Sequence, residues 1–70
     1  MPTVKAGKTE IMVSPARVAR MADRLWRLGH GAPERVAHSV AAARKRLEGA
    51  HPRKRDAAIV LAAITVVGNG

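Results

Sequence analysis

Seventy residues make one small domain at most, and a chain this short buries a smaller share of its surface than a larger one. There is no cysteine, which excludes a disulfide framework, a thiolate zinc site and a cysteine nucleophile. Thirteen Lys and Arg against five Asp and Glu give a formal charge of +8, an excess that opposes compaction and draws anionic partners.

In chain order, Thr9, Ile11 and Val13 alternate with Lys8, Glu10 and Met12 at the two-residue period of a half-buried strand. This predicts a short strand over Thr9 to Val13. Gly7 permits a turn from a shorter strand at Thr3 to Lys5, and an extended arm fits the same residues.

Ser14 before Pro15 is a helix start, because serine caps an orphan backbone N–H and proline at the first position sacrifices none that matters. The helix is expected to close at Gly29-His30-Gly31 through a left-handed glycine. Val18, Met21, Ala22, Leu25 and Leu28 make its apolar stripe.

Pro33 and Glu34 open a second helix, which runs to about Leu47 or Glu48 before Gly49. Its apolar face is read as Val36, Ala37, Val40, Ala41 and Leu47, with Arg44 intruding. A short Gly-His-Gly-Ala link implies an antiparallel helix pair.

Gly49 to Arg55 is a connector, since Pro52 cannot sit inside a helix. The segment Ala57 to Val67 is apolar on every side. Its alanines favour helix through Ala63, whereas Ile64-Thr65-Val66-Val67 has strand character and is also compatible with pairing to the Thr9 strand. Eleven apolar residues fall short of the roughly 20 that span a bilayer, and the N-terminus lacks a signal-type apolar run, so the cytoplasm is the expected compartment.

The expected fold is therefore mainly α. A strand or arm over residues 1–13 precedes a three-helix domain over 14–70, completed by dimerisation. A homodimer is expected because an alanine-rich core buries little area per residue.

Two constellations carry the functional expectation. On the first helix, Arg17, Arg20, Arg24 and Arg27 recur at spacings of three and four, which puts four guanidinium groups on one face. Arginine binds phosphate in a fixed two-pronged geometry. The competing explanation is a solubilising face whose alkyl stems cover the core edge.

From Arg44 to Arg55 the chain holds Arg44, Lys45, Arg46, Arg53, Lys54 and Arg55 against a single Glu48. Capping of the second helix explains the first triplet. It does not explain Arg53 to Arg55, which stand at the end of the third helix where positive charge is disfavoured. These ten residues are the predicted nucleic-acid-binding set. Trp26, the only aromatic residue, together with Ile59, Val60, Ile64 and Val67, is the predicted dimer or partner interface. With no other aromatic platform for unpaired bases, a duplex gripped by its phosphates is favoured over single strands, and DNA over RNA.

Other chemistries find no support. Gly7-Lys8-Thr9 ends like a phosphate-binding loop, but Pro2 stands where the motif needs its first glycine. The histidines at 30, 38 and 51 have no paired metal-ligand spacing, and Ser14 and Ser39 have no assembled base. The chain is expected to be no enzyme and to use no cofactor or metal.

The order strand Lys8–Val13, helix Pro15–Leu28, glycine-containing turn and helix Pro33–Leu47 is similar to ribbon-helix-helix DNA-binding dimers. That resemblance covers about residues 8 to 48 and implies paired strands in the major groove, with Lys8, Glu10 and Met12 toward the bases. Glu10 and the segment from Ala57 depart from the pattern.

The leading expectation is thus a small basic nucleic-acid-binding accessory or regulatory protein. The alternative is an inhibitor or adaptor that docks an acidic surface of a larger protein, with Ala57 to Val67 as its docking element and its charges steering association.

Overall fold

A computed structural model describes residues 3–69. In chain order it comprises β1 (Thr3–Ala6), β2 (Thr9–Met12), α1 (Pro15–Gly31), α2 (Pro33–Glu48) and α3 (Lys54–Asn69). The protein is mainly helical, with a two-stranded antiparallel sheet at its N-terminal end.

The hairpin follows from its turn. Gly7 takes φ +63° and no other described residue has positive φ, which matches a two-residue turn with glycine first. The register then opposes Val4 to Ile11 and Lys5 to Glu10. Val4 and Ile11 turn partly inward, while Lys5 and Glu10 put opposite charges on the exposed face. The first strand is therefore a strand and not an arm, and it gives β2 a partner within its own chain. The inward alternation of β2 continues into Val13, 1% exposed and the largest fully buried side chain described.

Helix α1 begins as its sequence dictates, with the Ser14 hydroxyl accepting from the Arg17 N–H at 3.5 Å and Pro15 in the first turn. Its end differs from the expectation. Gly29 and Gly31 remain helical, and neither takes the left-handed conformation. Ala32 closes the helix instead, at φ −149°, with its N–H donating to the Leu28 carbonyl. The same residue begins α2, where Pro33 has no N–H to satisfy and Glu34 lies at the positive end of the helix dipole.

The buried face of α2 also differs. Ala43 and Leu47 are buried, Val36, Ser39 and Val40 are partly buried, and Ala37, Ala41 and Arg44 are exposed. The core stripe thus runs through Val36, Val40, Ala43 and Leu47, so three of the five apolar residues read as its face lie on it, and Ala37 and Ala41 do not. Arg44 is no exception to an apolar face, because it does not lie on one.

Helix α3 starts at Lys54 and continues unbroken to Asn69, so Ile64 to Val67 are helical. The hairpin occupies the pairing edge that an alternative strand needed on one side of β2. Thr65 is accommodated by donating its hydroxyl to the Leu61 carbonyl at 3.1 Å. The α3 helix packs on both α1 and α2, more extensively than they pack on each other, and supports the hairpin.

Val13, Val18, Leu25, Leu47 and Ile59 join Ala22, Ala43, Ala57, Ala58 and Ala63 in the core. Alanines on three helices permit close approach and leave little apolar area per residue. Among the described residues, no helix is long and apolar enough to cross a membrane.

Candidate functional site

Three of the four predicted arginines of α1 line one groove, and the fourth lies outside it. Arg17, Arg20 and Arg24 line a groove of about 610 Å³ that also takes Arg46 from α2. Arg27 lies outside it, 78% exposed at its side chain, with a terminal nitrogen 3.2 Å from the Asp23 carboxylate. That contact is the only ion pair among the described residues. Among the described residues, the three groove arginines of α1 and Arg46 have no carboxylate within ion-pair distance.

The walls of the groove follow from helical spacing. Arg17, Arg20 and Arg24 recur every three or four residues on α1, and Ser39, Ala42, Ala43 and Arg46 do the same on α2. Where these stripes face each other across the start of α3, the floor is Met21, Ala43, Ala57, Ile59 and Val60. His38 and Asp56 complete the lining, and Asp56 is its only carboxylate. It sits in the first turn of α3, where the helix dipole favours a negative charge.

Cations from Arg44 to Arg55 line three different recesses. Arg46 joins the groove just described, whereas Arg44 faces a recess beside the hairpin turn with Lys5 and Lys54. Lys54 and Arg55 also border a recess against Ala6, Thr9 and Ile11. Lys45 and Arg53 are exposed and line neither place. The connector is held by His51, whose Nδ1 accepts the Arg53 N–H at 3.0 Å.

The predicted interface residues separate as well. Ile59 is 5% exposed and belongs to the core of a single chain, so it is not available to a partner. Val60, Ile64 and Val67 are partly buried against that core, and Val60 forms part of the groove floor. Trp26 is 53% exposed. Its ring meets that of His30 edge-on, with centroids 4.5 Å apart.

Sequence reasoning missed Lys5, His38 and Asp56. The signal for His38 was its i, i+4, i+8 relation to Ala42 and Arg46, legible only once the α2 face is set correctly. Lys5 and Asp56 carried no such signal, because tertiary packing alone brings them beside Arg44 and Arg46.

Comparison with protein-family models, with curated proteins and with solved structures gives no match. The ribbon-helix-helix resemblance consequently rests on the order of elements alone, and β2 has its pairing partner in its own chain.

Proposed function

We propose that this protein is a small, non-catalytic nucleic-acid-binding accessory or regulatory factor of the cytoplasm, and that it grips the phosphate backbone of duplex DNA with Arg17, Arg20, Arg24 and Arg46. The observation that carries this reading is that four arginines from two helices line one groove whose lining includes a single acidic residue. Guanidinium groups bond phosphate oxygens in pairs, and a row of them suits a polymer of evenly spaced anions. Lys5, Arg44 and Lys54 form a second basic rim beside the hairpin, and Trp26 leaves the chain with one aromatic ring, which favours a stacked duplex over unpaired bases.

The test is a fluorescence-anisotropy titration of the full chain against duplex DNA, duplex RNA and an acidic control protein at several salt concentrations. Binding to DNA should weaken with a log–log salt slope near −3 to −4, since each neutralised phosphate contributes about −0.9. No binding to either duplex at low salt would remove the reading.

A second reading rests on the groove floor. Met21 and Val60, both partly buried, offer apolar surface beneath the arginines, which suits the acidic, amphipathic helix of a larger protein more than a bare phosphate chain. Preference for the acidic control over both duplexes in the same titration selects this adaptor reading.

A further inference from the structure

Beside the hairpin turn, Lys5 of β1, Arg44 of α2 and Lys54 of α3 line a recess of about 460 Å³. Its one acidic residue is Glu48, and among the described residues none of the three cations has a carboxylate within ion-pair distance. Glu10, opposite Lys5 in the hairpin, lies outside the recess. Lys54 and Ala6 also border the adjoining recess, which adds Arg55. Three separate elements thus bring unpaired cations to one place, at the end of α3 where the helix dipole is itself positive. Like charges gathered this way repel one another, and a bound polyanion relieves that repulsion.

This recess and the arginine groove face apart. Arg44 and Arg46 are two residues apart on α2, as Lys54 and Asp56 are on α3. In each pair the first residue lines the recess and the second lines the groove. At ~100° per residue, two residues turn ~200° about the helix axis, so both helices put the two sites on nearly opposite sides.

We propose that the protein bridges two DNA duplexes, one seated in the arginine groove and the other against the recess of Lys5, Arg44 and Lys54. The proposal rests on the reading of the groove as a duplex-binding site. One duplex does not serve both sites, because DNA is stiff over about 150 base pairs and the protein measures only 34 × 23 × 18 Å. A duplex in the groove therefore leaves the recess open to a second. With a charge of +8, one chain placed between two polyanions also screens their mutual repulsion.

The experiment couples one duplex to beads and supplies a second, fluorescent duplex with the full chain at low salt. Retained fluorescence reads bridging, and anisotropy of the fluorescent duplex alone reads binding. The wild-type chain should retain the second duplex. Lys5→Ala combined with Arg44→Ala, both at exposed positions, should cut retention by about tenfold or more, with helical circular dichroism like that of the wild type. Its affinity for a lone duplex should fall by less than its retention does. Lys45→Ala combined with Arg53→Ala removes the same charge from exposed positions outside both sites, and should retain duplex as the wild type does.

If the wild type binds duplex in anisotropy yet retains none, bridging is overturned and the groove reading stands. If it binds no duplex, both fall. Retention that survives Lys5→Ala with Arg44→Ala, as two associated chains each offering one groove would give, also overturns the proposal. So does an equal loss in the two double variants, which would trace retention to net charge alone.

Discussion

Arg20 on α1 and Arg46 on α2 line one groove, while Arg27, two turns further along α1 than Arg20, is tied to Asp23 and lies outside it. Identical side chains in one periodic row thus have different surroundings, and they should contribute differently to binding.

Arg20→Ala and Arg46→Ala should each weaken duplex binding about tenfold and lower the magnitude of the salt slope by about 1, as expected for loss of one phosphate contact. Arg27→Ala should change affinity less than threefold, since its guanidinium points to a carboxylate and an exposed i,i+4 pair is worth only about 0.3–0.5 kcal/mol. Anisotropy titrations across a salt series compare all three. Equal losses at Arg20 and Arg27 would show that the groove does not define the contact.

Asp56 gives a change of opposite sign. As the single carboxylate lining the arginine groove, it repels an incoming phosphate, so Asp56→Asn should tighten duplex binding by roughly three- to tenfold, a near-surface charge interaction of about 1 kcal/mol. The same substitution removes a favourable charge from the first turn of α3 and should reduce stability by about 0.3–1 kcal/mol. Titration and thermal melting of one variant therefore move in opposite directions. Weaker DNA binding in a folded Asp56→Asn protein would contradict this account of the site.

The glycines provide a test independent of ligand. Gly7 has φ +63° and open space around the position of a Cβ, so Gly7→Ala should destabilise by about 1 kcal/mol through backbone conformation alone. Gly31 is helical and equally open, so Gly31→Ala should stabilise by up to about 1 kcal/mol. Denaturant melts of the two variants should shift to opposite sides of the wild type. Were Gly31 the left-handed stop suggested by its position in the sequence, both shifts would be destabilising.

That difference shows where local signals were legible and where they were not. The Ser14–Pro15 start, the Pro33 start and the alternation of Ile11 and Val13 are decided within a few residues by capping chemistry and pleat, and the fold agrees with them. The end of α1 is decided by Ala32 and Pro33 together, because the next helix begins at once and leaves no room for a glycine-closed turn. Ile64 to Val67 have local strand preference, but the packing of α3 against both other helices outweighs it. The arginine face of α1 was legible for the same reason as the helix itself. Its division into groove and rim was not, because Arg46 and Asp56 reach the site only through the way α2 and α3 pack.

The face of α2 allows a decisive comparison between two alanines. Ala41 is exposed, and Ala43, two residues on, is 3% exposed among core side chains. An added side chain at Ala43 must displace its packed neighbours or intrude on the groove it lines, at about 1–3 kcal/mol for a few methylene groups. Ala43→Leu should therefore lower the melting temperature by about 4–8 °C for each kcal/mol lost in a domain of this size. Ala41→Leu should leave it within about 0.5 kcal/mol of wild type, as surface substitutions usually do. Arg46 lies three residues beyond Ala43 on α2 and lines the groove with Arg17, Arg20 and Arg24, so the stability measurement also tests the geometry of the binding groove. If Ala41→Leu proved the damaging change, α2 would be rotated and Arg46 would leave the groove.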